Sequence, residues 1–145
     1  MLKVSLNQQQ FNRVMRKVDA LAPSMKKKAE FLINASALKI ESGAKHRVPT
    51  DTGRLKTSIK TEKFGGIGRR VYTNVEYAPY VEFGTKSRVV TTISGVDYSD
   101  VAIQFKKSTG GSGGVSPRPY LFPAFEAEKP KLIKNLKRLM KNGKG

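Results

Sequence analysis

Residues 48–60 read VPTDTGRLKTSIK and residues 76–85 read EYAPYVEFGT. Neither stretch looks catalytic. Each places Pro, Gly, Asp or Thr at intervals that force a turn or start a helix. In the first, Pro49 stops any preceding helix, because proline disfavours helical backbone in the residue before it. Asp51 or Thr52 can then accept hydrogen bonds from the free amides of a short helical turn. Gly53 is expected to let the backbone come close, and Leu55 and Ile59 to anchor the turn on a core. The stretch therefore predicts a sharp corner, with Arg54 on it, between a long helix and a sheet. In the second stretch Pro79 suits the first position of a short helix and Gly84 its left-handed end. Tyr77, Tyr80, Val81 and Phe83 give that helix an aromatic underside, expected to lie on the sheet, with Glu82 beside them.

Upstream of the corner the periodicity is helical. Phe11, Val14, Met15, Val18 and Leu21 step by three and one, extending back to Leu6, with Asn7 as a possible cap and Pro23 as the stop. A second helix is expected from about Ser24 to His46 on Met25, Ala29, Leu32, Ile33, Ser36, Ala37, Ile40 and Ala44. Several of these are small, so another backbone can approach along that side. Downstream the pattern alternates. Residues 58–64 and 69–76 flank GGIG at 65–68 and read as a β-hairpin. GGIGRR is no phosphate-binding loop, since it lacks the Lys-Ser/Thr signature and opens no helix.

The segment at about 85–117 changes character. Val89, Val90 and Ile93 form one β-branched cluster, and Val101, Ile103 and Phe105 alternate in another. The run STGGSGGVSP that follows reads as a flexible linker. Two further strands, a projecting hairpin arm and a mobile loop are expected. The chain closes on RPYLFPAFEAEKPKLIKNLKRLMKNGKG, with Pro119 and Pro123 ahead of a helix and Pro130 kinking or restarting it. Leu132, Ile133, Leu136, Leu139 and Met140 make a narrow apolar seam, and Lys134, Lys137, Arg138 and Lys141 lie among the basic residues around it. The sum is α+β. Long N-terminal helices pack on a small antiparallel sheet, with a projecting β-rich arm and a basic C-terminal helix, in one domain over 1–145.

Composition narrows the chemistry. With 145 residues the chain can bury roughly 68–70% of its unfolded surface. There is no cysteine, so disulfides and thiolate metal sites are excluded, and His46 is the only histidine. No cofactor motif is present. No apolar run approaches the ~20 residues of a membrane span, and MLKVSLNQQQF lacks the apolar core of a signal peptide. The eleven acids sit mostly singly among lysines. Asp97 and Asp100 are close but lie in a turn, where such side chains bond their own backbone. A triad of Ser58, His46 and Asp51 has nothing in its spacing to support it. The net charge of +17 repels copies and attracts polyanions. Basic residues occur on the long helix, at the hairpin turn (Arg69, Arg70), along the arm (Lys86, Arg88, Lys106, Lys107) and on the C-terminal helix. No base-reading motif accompanies them, so any DNA contact is to phosphate.

VPTDTGRLKTSI, YAPYVEFGT and RPYLFPAF, in this order and followed by a basic helix, resemble the small tail-component family of tailed bacteriophages, the tail-completion or head–tail joining proteins of long-tailed phages. The resemblance covers about 24–84 and 117–142. It implies a virion structural protein, made in the host cytoplasm, and no enzyme. It implies a homo-oligomeric ring of six at the head-proximal end of the tail or neck. The partners implied are neck, tail-terminator or tail-tube proteins and the phage DNA in the lumen, with no membrane. Lys134, Lys137, Arg138 and Lys141 are then the candidates to face that DNA. The arm residues Val89, Val90, Ile93, Val101, Ile103 and Phe105 are the candidates to add a strand to a neighbour. A free-standing nonspecific nucleic-acid-binding module is the alternative.

Overall fold

The computed structural model describes residues 1–6, 12–49, 53–102 and 113–142. Strand β1 (Leu2–Leu6) leads into helix α1 (Asn12–Asp19) and the long helix α2 (Pro23–Arg47). Helix α3 (Gly53–Ser58) turns the chain into strands β2 (Lys60–Lys63) and β3 (Arg69–Thr73). Helix α4 (Ala78–Phe83), a 3-10 turn at Lys86–Arg88, and short strands β4 (Thr92–Ile93) and β5 (Val96–Asp97) come next. Helix α5 (Leu121–Asn142) closes the fold. The architecture is α+β, as the sequence implies.

The main sheet has the order β1-β3-β2 and is antiparallel throughout. The registers place Val4 opposite Val71 and Thr61 opposite Val71 from the other side. Because strand side chains alternate, Leu2, Val4, Leu6, Val71 and Thr73 share a buried face. Lys3, Arg70, Tyr72 and Lys60 share the outer one. The expected hairpin is present, as β2 and β3. What the periodicity did not reveal is β1. Leu6, grouped from sequence with the apolar residues ahead of that helix, is the last residue of a strand and pairs with Arg69.

Helix α2 begins on Pro23, one residue before the expected start. A proline in the first turn forfeits no hydrogen bond there. It buries Ala29, Ile33, Ser36, Ala37, Ile40 and Ala44. The small residues let α5 approach: a Cβ built on Gly43 would lie 3.5 Å from Ala124 Cβ. Further along, Ser36 Oγ donates to Glu128 Oε1 at 3.2 Å. These pairings make α2 and α5 antiparallel neighbours. Pro130 lies inside α5, which continues through it as one helix. The seam of α5 is buried at Leu132, Leu136 and Met140 and half-buried at Ile133 and Leu139.

Several expectations need correction. Asp51 and Thr52, the expected caps, lie outside the described residues, as do Asn7, Phe11, Ile103, Phe105, Lys106, Lys107 and the centre of the Gly/Ser run. Leu55 and Ile59 do anchor the corner, both fully buried. A Cβ on Gly53, however, would meet no described residue within 4 Å. Gly84 has φ +83° as expected, but ψ −177°, so the chain leaves α4 extended instead of through a left-handed turn. Helix α4 docks at the start of α5, with Phe83 and Phe122 ring centroids 5.4 Å apart, and not only on the sheet.

The arm supplies one small hairpin, β4–β5. Its described residues lie against the body. Ile93 and Ala102 are buried, and Val89, Val90 and Val101 pack on the core. Residues 99–102 are helical where a strand was expected. The end of the Gly/Ser run is no loose linker either. Thr85 N–H donates to Val115 O at 3.0 Å, and Arg118 N–H to Val81 O at 2.7 Å. A Cβ on Gly114 would fall 2.2 Å from Thr85 O. Glycine is there for close approach.

Candidate nucleic-acid interface

The first quoted motif is tied to the second by Arg54, and the second and third meet in one structural knot. Its centre is Glu82, fully buried on α4. Glu82 Oε2 accepts the amides of Tyr120 (2.7 Å) and Leu121 (3.1 Å), and Oε1 accepts that of Phe122 (2.7 Å). Those are the orphan donors at the start of α5, which need an acceptor when buried. Burial pushes the Glu82 carboxyl up to about 7, and the three amides hold it from rising further. The buried Tyr120 hydroxyl donates back to Ala78 O at 3.2 Å. On the other side, Arg54 Nη1 and Nη2 grip Glu76 at 2.8 and 3.1 Å. The guanidinium of Arg54 also lies 5.8 Å from the centre of the Tyr77 ring. Helix α3 is tied to the sheet by Ser58 Oγ, 2.6 Å from Thr73 Oγ1. Ser58 also donates to Leu55 O at 2.6 Å, and His46 is exposed at the end of α2. The Ser58 hydroxyl is thus structural.

Most of the other described acids are likewise engaged in hydrogen bonds or ion pairs. Glu30 accepts from the buried Arg69 at 2.9 Å, whose other donors reach Asn34 and the carbonyls of Ile67 and Gly68. Glu41 accepts from Lys45 (2.8 Å) and Thr61 (2.6 Å). Burial works against its charge, but these two donors outweigh it and lower its pKa. Glu62 binds Arg70, which also lies 4.5 Å from the Phe64 ring centre. Glu126 accepts from the Tyr98 hydroxyl, while that ring stacks on Phe122 at 4.3 Å. Asp97 accepts the Ser99 amide at 2.8 Å, the local turn bond expected of it. Arg69 and Arg70, counted from sequence among candidate phosphate contacts, are therefore spent on holding β3 to α2 and β2.

What remains exposed is overwhelmingly cationic. Lys131, Lys134, Lys137, Arg138 and Lys141 all project from α5 into solvent. The 3.6-residue period puts Lys134, Lys137, Arg138 and Lys141 on one face, opposite the buried seam. Lys137 and Lys141 share a shallow groove with Lys17 of α1, floored by Ala20, Leu21 and Met140. Three ammonium groups held near one another favour an anion between them. Lysine is a point charge without base-reading geometry, so the face suits phosphate. Among the described residues no group of His, Cys, Asp or Glu could hold a metal ion, and no helix is long and apolar enough to cross a membrane.

The structure thus brings Arg54, Leu55, Tyr77, Pro79, Tyr80, Glu82, Phe83, Gly84, Pro119 and Pro123 into or beside one knot, and leaves Lys134, Lys137, Arg138 and Lys141 on a separate face. Sequence reasoning missed the capping role of Glu82. Its signal was an acid flanked by Val81 and Phe83 in a helix only six residues long.

Residues 12–84 match the family model HK97-gp10_like, described as "Bacteriophage HK97-gp10, putative tail-component". No curated protein and no solved structure matches the chain. The matched span runs from α1 through α4 and ends on Gly84, so it contains the corner, the hairpin and the Glu82 side of the knot.

Proposed function

Since the chain belongs to the HK97-gp10-like family of bacteriophage tail components, we propose that it completes the tail as a ring of six copies at the head-proximal end. The ring joins the tail to the head connector, next to neck, tail-terminator or tail-tube proteins. The genome passes through its lumen along Lys134, Lys137, Arg138 and Lys141. The protein acts through contacts and carries out no chemistry. The observation that supports this reading best is the exposed α5 face, where Lys134, Lys137, Arg138 and Lys141 form no ion pair with a described residue. In a chain of net charge +17, DNA in a channel supplies the counter-charge. Repulsion between such subunits also opposes assembly until a partner surface gathers them.

Quantitative mass spectrometry of purified particles tests the proposal. About six copies per tail are expected. Absence from particles overturns it. The groove formed by Lys17, Lys137 and Lys141 also favours a second reading, a free nonspecific nucleic-acid-binding module. That reading predicts the protein on DNA in the lysate and none in the particle.

A further inference from the structure

The outward side of α2 carries a feature that neither the knot nor the basic face uses. Phe31 is 73% exposed and Leu38 50%. Seven residues apart, they lie two turns along the same line of the helix, about 10 Å, with half-buried Ala35 between them. They stand opposite Ala29, Ile33, Ala37 and Ile40, which enter the core. Single exposed apolar side chains are ordinary. Two aligned on the solvent side of a helix form a stripe. The unpaired charges around it are all cationic, with Asn34 and the partly buried, already paired Glu41 on the other flank. Lys27 and Lys28 stand one turn before Phe31, and Lys39 stands beside Leu38, all exposed. None of the three forms an ion pair with a described residue. The acids of α2 are already paired, Glu30 with Arg69 and Glu41 with Thr61 and Lys45.

We propose that this stripe docks an acidic amphipathic helix of a different protein. An apolar strip with a one-sign charged rim fits a helix with apolar residues at i, i+3, i+4 and i+7 flanked by Asp and Glu. Stripe-on-stripe pairing of two copies would set Lys27, Lys28 and Lys39 against the same lysines, so charge disfavours it. Phosphate needs no apolar floor, and Leu38 offers no stacking surface for a base, so nucleic acid is the poorer fit. The site is separate from the α5 face and does not depend on ring formation.

The test uses the full chain and a labelled designed peptide of about 20 residues with that apolar face and a glutamate rim, followed by fluorescence anisotropy near 0.15 M salt. A scrambled peptide of identical composition is the control. Saturable binding is expected for the helical peptide, and at least ~10-fold weaker binding for the scrambled one. Phe31→Ser with Leu38→Ser should weaken binding about 100-fold, the amount two recovered apolar side chains supply. Lys27→Glu with Lys28→Glu should weaken it about 10-fold. Duplex DNA affinity and the thermal melt should not change in the Phe31/Leu38 variant. Equal binding of the scrambled peptide, undiminished binding by that variant, or no saturable binding overturns the proposal. So does sedimentation showing self-association that the variant abolishes, since the occupant is then a second copy. No arm of the test involves phage particles, so its failure leaves the ring reading standing.

Discussion

Replacing Gly84 by alanine is the sharpest probe of the knot. Two costs add there. The backbone sits at φ +83°, ψ −177°, a region that L side chains rarely enter, at about 1–3 kcal/mol. The new Cβ would also lie 2.8 Å from Arg88 O, 2.9 Å from Val115 O and 3.0 Å from Pro117 Cδ. Two of these are backbone atoms, and Val115 O already accepts the Thr85 amide at 3.0 Å. Relief therefore means moving the strap at 113–118, an overpacking cost of about 1–3 kcal/mol. The restricted unfolded chain returns about 0.4–1 kcal/mol. The net loss is about 1–5.6 kcal/mol. For a chain of this length that lowers Tm by roughly 3–17 °C. Gly53→Ala is the matched control: no described residue lies within 4 Å of its Cβ, and alanine favours the helix it begins. Differential scanning calorimetry of the two variants decides the matter. A Gly84→Ala protein melting within about 2 °C of the parent would refute both the strain and the crowding.

Three further outcomes follow from the same geometry. Glu82→Ala leaves three buried amides without their acceptor and should cost about 3 kcal/mol or more in urea denaturation. The parent's Glu82 pKa of about 7 lies above the usual 4.5. Its titration therefore adds stability that is complete below pH 4.5 and is lost as pH rises through 7. Stability of the parent relative to Glu82→Gln should fall between pH 5 and pH 8, and parallel curves would exclude this. Arg69→Met should cost about 2–3 kcal/mol and Glu30→Gln clearly less. Arg69 is buried, whereas Glu30 is a third exposed, and Arg69 keeps Asn34 and two carbonyls when Glu30 is neutralised. Changing Lys137, Arg138 and Lys141 to Glu should leave the melt unchanged. It should also flatten the salt dependence of DNA binding by about 0.9 in log–log slope for each phosphate no longer neutralised; an unaltered slope would make these residues merely solvated.

The parts of this fold that were legible in the sequence are those fixed by neighbours along the chain. Helix α2 announces itself by three- and four-residue steps, the β2–β3 hairpin by alternation around GGIG, and α4 by the Pro79–Gly84 spacing. The parts that were not legible are fixed across the chain. Strand β1 spans five residues, too few to outweigh the helical spacing that follows it. Its partner β3 is remote in sequence. Residues 99–102 lie in a stretch that alternates like a strand, yet Asp97 caps the Ser99 amide and the chain turns helical. Gly114 looked like linker because composition cannot show that the Thr85 carbonyl lies against it. Arg69 looked like a surface cation because Glu30, which buries it, lies on another element.

This last case explains why the charge could be counted but not placed. In a chain with 28 basic and 11 acidic residues, sequence alone suggests that acids are sprinkled among lysines to temper them. The fold uses them otherwise. Glu82 holds a helix end, Glu30 and Glu62 hold the hairpin arginines, Glu41 bridges α2 to β2, and Glu76 clamps the corner. Of these, Glu82 alone is fully buried, while Glu76 and Arg54 stay largely in solvent. Each Glu–Arg pair cancels one cation with one acid, so cohesion comes from these bonds and the outer positive potential from the many lysines outside such pairs. A chain built this way resists its own copies while remaining well knit. On the proposed reading, its assembly is then governed by what supplies negative charge from outside, phosphate at the α5 face and carboxylate at the α2 stripe.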